Sequence, residues 1–248
     1  MVVPMIDNIF DFTRIDIRIA DEVYEAFNEV FDKFPKLKNR INYVGSIENT
    51  FDEINKVYKL YYGGNLFYSY LNKLKLYFKV FAFADEVPNK NILNPYVNSE
   101  LSYEERLSYG KSYFESISIN ELYSYAKLYQ KIYQGKSKNT FNAYNIKGVV
   151  FHEIGHILSN ILFLPYNEHF MTNVDLLMKK RFQNYSSYSL KNPGEFIAEH
   201  FTLYMIGNNN EASKFIGDYI TRLYKVFENT EAFVYDDTYQ RLIRKNVV

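Results

Sequence analysis

The most restrictive segment of the chain is Val149-Val150-Phe151-His152-Glu153-Ile154-Gly155-His156-Ile157-Leu158, a His-Glu-x-x-His pattern inside an apolar run of helical period. Residues four apart lie one above the other on a helix face. Both imidazoles of His152 and His156 can therefore turn toward one Zn2+ at about 2.0–2.1 Å. Glu153 follows the first histidine and can reach a water on the ion rather than the ion itself. It is then suited to take that water's proton and pass it to a leaving amine. Ile154, Ile157, Leu158 and Ile161 supply the buried stripe that would hold such a helix rigid. With four histidines in 248 residues, chance would produce this pattern on the order of a few times per thousand such chains. The bland alternative is two surface histidines beside a solvated glutamate, and the apolar flanks speak against it.

The chain has no cysteine, which excludes disulfides, Fe–S clusters and thiol nucleophiles. Any transition-metal site must then be completed by histidine or carboxylate. A third histidine six residues beyond His156 would fall on Leu162, which cannot bind a metal, so the His-rich metzincin class is out. His169, in a polar turn after Pro165, reads as a surface residue. The segment Asn192-Pro193-Gly194-Glu195-Phe196-Ile197-Ala198-Glu199-His200-Phe201 is richer. Glu195 and Glu199 share one face of a helix whose other faces carry Phe196, Ile197, Phe201, Leu203 and Tyr204, and buried carboxylates without partners are costly. A metal would account for both: Glu195 as ligand, Glu199 accepting a hydrogen bond from the far nitrogen of a ligand histidine. Two alternatives stand beside this. Asn192, Pro193 and Glu195 also fit N-cap, N1 and N3, which would make Glu195 a capping-box residue; without the histidine pair that reading would lead. His200 is the competing third ligand, pointing about 100° around the helix from Glu199.

Lys plus Arg and Asp plus Glu number 29 each, so the formal charge is zero. That argues against nucleic-acid binding through accumulated positive charge and against a disordered charged chain. Hydrophobic residues at 47% and charged residues at 23% fit a globular protein long enough for one sizeable domain. The aromatic share is high, with 25 Tyr and 21 Phe, and with the abundant Asn, Lys and Ile it looks like AT-rich codon usage as much as physical design. Met1 to Ala20 carries Asp7, Asp11, Arg14, Asp16 and Arg18 and lacks the profile of a signal peptide. No window approaches 18 uncharged apolar residues, so no membrane span is expected.

The periodicities predict an α+β chain, mixed elements first and helices last. Helices are expected at Ala20–Phe34, Ser46–Tyr58, Ser102–Phe114, Ile119–Gln134, Asn145–Leu162, Thr172–Phe182, Pro193–Ile206 and Glu211–Glu228. Arg40–Val44 reads as a strand closed by Gly45. Leu66–Tyr70 and Leu74–Ala84 read as a hairpin, and Asn91–Val97, with Asn94-Pro95, as an edge strand. The whole of 1–248 is expected to be one domain: an α+β part over about 1–97, a Tyr-rich helical insertion over about 98–140, and a helical part holding the histidines over about 141–248.

His-Glu-Ile-Gly-His followed by Glu-Phe-Ile-Ala-Glu-His-Phe resembles the gluzincin subgroup whose second motif reads Glu-Phe-Phe-Ala-Glu-x-Phe. That subgroup includes the catalytic domain of anthrax lethal factor, the clostridial Pro-Pro endopeptidases and a zincin domain in phage minor head proteins. The phage branch is closest, with Tyr-x-x-x-Asn-Pro-x-Glu over Tyr188–Glu195 and an Asn-Pro strand ahead of the zinc helix. The resemblance implies a zincin-like fold, a small mixed sheet whose edge strand lies next to the zinc helix, and one Zn2+ on His152, His156 and Glu195. It implies Glu153 as general base and then acid, Glu199 supporting a ligand histidine, and Tyr188 donating to the oxyanion; on the residues alone, Tyr185 nearby is a competing phenol. The implied activity is endopeptidase cleavage of a protein or peptide; the alternative is a zinc-stabilised structural component of a phage head, with virion proteins as partners. No nucleic-acid or membrane partner is implied, and the expected location is cytoplasmic or virion-associated. The match is specific over about 145–206, and the departures, His200 after Glu199 and the 98–140 insertion, bear on substrate choice.

Overall fold

Asp16 opens the first helix earlier than its apolar stripe predicts. Its carboxylate accepts from the Arg18 amide at 3.1 Å, satisfying one of the free donors of the first turn. Helix α1 therefore runs Ile17–Lys33, buries Ile19, Val23, Phe27 and Val30 on one face, and gives way to a 3-10 turn at Pro35–Asn39. The computed structural model describes residues 9–41, 43–49, 81–84, 116–180, 185–208 and 210–228. The expected elements at 66–70, 91–97 and 102–114 lie outside the described residues, as do most of 46–58 and 74–84. The chain divides into two compact units, Met1–Tyr24 with Phe31–Lys127, and Glu25–Val30 with Leu128–Val248.

The first unit holds the sheet. Among the described residues its strands are β1 (Phe10–Asp11), β2 (Tyr43–Ser46), β3 (Ala82–Ala84) and β4 (Ser116–Ile119), in the order β1-β2-β4-β3. β1 and β2 pair in parallel with Phe10 opposite Val44, and β2 and β4 in parallel with Tyr43 opposite Ser116. β3 runs antiparallel to β4, Ala82 facing Ile119. The sheet is thus mixed, as expected for α+β. Gly45 does not close β2 but lies inside it. A Cβ there would stand 2.5 Å from the Tyr43 hydroxyl, so the missing side chain leaves room for the Tyr43 ring, whose hydroxyl donates to Asp11 at 3.2 Å. Residues 47–49 turn helical after β2, with the Glu121 carboxylate accepting from the Ile47 and Glu48 amides at 3.1 and 3.2 Å.

Helical periodicity places Ile119 in a helix, yet it ends strand β4, and the next helix, α2, starts only at Tyr125 and runs to Ser137. All four residues of Ser116-Ile117-Ser118-Ile119 are buried, so the serines lie inside as well as the isoleucines. The described part of the 98–140 insertion is therefore not wholly helical.

The second unit is helical. α3 (Ile146–Ile161), α4 (Glu168–Lys179), α5 (Pro193–Met205) and α6 (Glu211–Phe227) follow in order, with a 3-10 turn at Leu164–Tyr166. Each helix opens on an asparagine whose side chain accepts an amide of the first turn: Asn145, Asn167, Asn192 and Asn210. Asn167 makes α4 begin four residues before its predicted start. α3 and α5 form the most extensive helix pair among the described residues, and α5 also packs on α4 and α6. Lys147 of α3 pairs with Glu25 and Glu29 at 2.9 and 2.7 Å, tying the 25–30 segment into this unit. No helix among the described residues is long and apolar enough to cross a membrane.

Candidate metal centre

Asn145 accepts from the Gly148 amide at 2.8 Å and sets the start of α3. Seven and eleven residues on, His152 and His156 emerge on one face with ring centroids 4.8 Å apart and their Nε2 atoms 3.2 Å apart. The rest of that helix is packed: Val150, Phe151, Ile154, Ile157 and Leu158 are all at most 3% exposed. The two rings are therefore held by a rigid support rather than displayed on a solvated surface, which removes the surface-histidine alternative.

On α5 the cap and the Glu195 carboxylate use different atoms. Asn192 caps the helix through the Glu195 amide at 2.9 Å, while the Glu195 carboxylate turns inward. Its Oε2 stands 3.2 Å from His152 Nε2 and 3.4 Å from His156 Nε2. That oxygen is buried and makes no regular hydrogen bond. His152, His156 and Glu195 are the only group of three or more histidine or acidic side chains among the described residues that could hold a metal ion. The donor set, two imidazoles and a carboxylate, suits zinc and its first-row neighbours.

Glu199, one turn further along α5, is 1% exposed and fully engaged. Its Oε1 lies 3.1 Å from His152 Nδ1, and its Oε2 accepts from the Asn142 amide at 2.6 Å and the Ser186 hydroxyl at 2.7 Å. The carboxylate accepts the Nδ1 proton of His152, which in the neutral ring leaves Nε2 as the free lone pair directed at the site. Burial disfavours charge on His152, but Glu195 and Glu199 outweigh it and hold the imidazole pKa up near 10 in the metal-free protein. For Glu195, burial works against ionisation, yet the two histidines keep its carboxyl well below the usual carboxylate range. Glu153 is buried on α3, 7% exposed, and its charge is among those favouring protonated His152.

The two tyrosines of the preceding loop separate cleanly. Tyr188 is half-buried, its ring 5.8 Å from the His152 ring. Its amide donates to the Thr140 carbonyl at 2.8 Å, and that of Ser187 to the Asn139 carbonyl at 3.0 Å, pinning the loop. Burial, then the Glu195 charge, raise its phenol pKa, so it keeps its proton and remains a donor. The ammonium of Lys191 stands 4.9 Å from the Tyr188 ring centre and 3.9 Å from Glu195 Oε1. Tyr185 is packed on Phe196 and His200 at 5.2 and 4.8 Å, and burial pushes its hydroxyl up to about 12.

The other histidines are not brought to the site. His200 is fully buried with both ring nitrogens unpartnered, its ring 4.2 Å from that of Phe196. Burial lowers its pKa to about 3. His169 is exposed on α4, and Leu162 is buried at the end of α3. Sequence reasoning missed Asn142 and Ser186. One contributes a backbone amide and the other a common hydroxyl, so neither carries a residue-type signal. A scan against protein-family models, a search of curated proteins and a search of solved structures each return no match.

Proposed function

We propose that the chain is a zinc-dependent endopeptidase of gluzincin type on a zincin-like fold. One observation carries the reading: His152 Nε2, His156 Nε2 and Glu195 Oε2 form a triangle with sides of 3.2, 3.2 and 3.4 Å. Ligands of a tetrahedral zinc at about 2.0–2.1 Å stand about 3.3–3.4 Å from one another, by the geometry of the tetrahedron. Three protein ligands leave one position for water or substrate, the arrangement of a catalytic rather than a structural zinc. An ion there would also coordinate the buried Glu195 Oε2, which makes no regular hydrogen bond.

When bound, zinc would supply Lewis acidity, polarising a peptide carbonyl and lowering the pKa of water. The chain's own groups do the rest. Glu153 takes the proton of the attacking water and delivers it to the departing amine nitrogen. Tyr188, protonated and anchored through its backbone, donates a hydrogen bond to the carbonyl oxygen as negative charge develops. Glu199, held by Asn142 and Ser186, keeps the lone pair of His152 Nε2 directed into the site. Intact Glu153 favours catalysis over a purely structural metal site, which has no use for a carboxylate beside its ligand.

The test compares wild type with Glu153→Gln and His152→Ala, by metal analysis and by cleavage of a peptide library. Glu153→Gln is expected to retain zinc and to lose about 10²–10⁴-fold in cleavage, the scale of general acid–base catalysis. His152→Ala is expected to lose both. Equal metal loss in the two variants, or cleavage undiminished by Glu153→Gln, would overturn the assignment.

A further inference from the structure

Building on the zinc reading above, we infer that Gly155 is a positioning residue whose contact with Ala198 sets the spacing of α3 and α5 at the ligand triangle. A Cβ on Gly155 would lie 2.9 Å from Ala198 Cα, 3.4 Å from its Cβ and 3.3 Å from Phe201 Cβ. The nearest obstacle is backbone, so no rotamer change can relieve it, and the two helices would have to move apart. Glycine is also the least favourable residue for a helix interior apart from proline. Its presence midway through a packed helix calls for a reason, and the approach of α5 supplies one.

The placement gives this contact its leverage. Gly155 follows His152 by three positions and immediately precedes His156, while Ala198 follows Glu195 by three. The ligands are divided between the helices, two on α3 and one on α5. Separating the helices would leave the His152–His156 edge at 3.2 Å unchanged and lengthen the edges to Glu195, now 3.2 and 3.4 Å. The Glu199–His152 link at 3.1 Å spans the same two helices and would stretch with them. A shift of a few tenths of an ångström is harmless to most core contacts, but it spoils ligation at about 2.0–2.1 Å. Gly148 provides an internal control. It is also tight, with Ala143 Cα at 3.1 Å and Asn145 Oδ1 at 3.3 Å, so its nearest neighbours lie in the segment leading into α3 rather than on α5.

The experiment uses the full chain and measures zinc affinity by competition with a chromophoric chelator, the visible spectrum of the Co2+-loaded protein, and helix content and thermal midpoint without metal. Gly155→Ala is expected to keep its helix content, to bind zinc at least tenfold more weakly, and to alter the Co2+ spectrum. Gly148→Ala is expected to lower the thermal midpoint while leaving zinc affinity within twofold of wild type. If Gly155→Ala does not fold, Ala198→Ser, which adds an atom from the facing side, is expected to show the same loss of affinity. A folded Gly155→Ala, or in its place Ala198→Ser, that binds zinc within twofold of wild type overturns the inference while leaving the zinc reading intact. Wild type binding zinc no more tightly than His152→Ala would instead sink both.

Discussion

Glu199 and His200 are neighbours on α5, both buried, and they illustrate opposite ways of placing a titratable group inside a protein. Glu199 has a donor for each oxygen: His152 on one, Asn142 and Ser186 on the other. His200 has none, and sits between Tyr185 and Phe196 as an aromatic filler. Its pKa, pushed down by burial from 6.5 to about 3, sets the sign of a pH effect. The folded protein keeps the ring neutral where the unfolded chain takes up a proton. The stability associated with the neutral ring is complete above about pH 6.5 and is lost as the pH falls toward 3. His200→Leu, similar in volume and free of polar atoms, should therefore flatten the acid limb. We expect the urea midpoint of wild type to drop more between pH 7.5 and pH 5 than that of His200→Leu, and equal drops would show that the ring takes no part.

At the scale of elements, the asparagine caps matter in proportion to what their first turns carry. Asn192 and Asn210 make equivalent caps, accepting from Glu195 and Ser213 amides at 2.9 and 2.8 Å. Replacing either with alanine should cost about 1 kcal/mol of stability, the usual worth of such a cap. Of these two first turns, only that of α5 bears a member of the candidate metal triad. Asn192→Ala should thus also weaken zinc binding severalfold, whereas Asn210→Ala should leave it unchanged. Paired denaturation and metal-competition measurements decide this, and equal zinc affinity in both variants would detach the cap from the site. The same turn explains why Glu195 can serve two ends: its amide belongs to the cap and its carboxylate to the histidines.

For the molecule as a whole, every residue of the candidate metal centre belongs to the second unit, within Leu128–Val248. An ion bound only by the folded state stabilises it by mass action, about 2.7 kcal/mol at a free concentration 100 times Kd. Zinc should raise the thermal midpoint, chelator should reverse the gain, and amide protection should increase over 146–161 and 193–205. Unchanged protection there would mean that the ion binds elsewhere. Much of this centre was readable along the chain. The pairing of His152 with His156, the flanking Glu153, the Asn192 cap and the late run of helices all follow from periods of 3.6 and from residue chemistry within one element, where spacing in sequence fixes spacing in space. Other features followed only from packing. Whether the Glu195 carboxylate turns toward the histidines, which of Tyr185 and Tyr188 lies beside the His152 ring, the burial of His200, the strand at Ser116–Ile119 and the anchoring of Glu199 by an amide and a serine all depend on segments distant in sequence. Local periodicity orients a side chain about its own axis. How near a second axis comes, and which backbone groups arrive with it, depends on what the facing surfaces exclude, as Gly155 and Ala198 do where α3 meets α5.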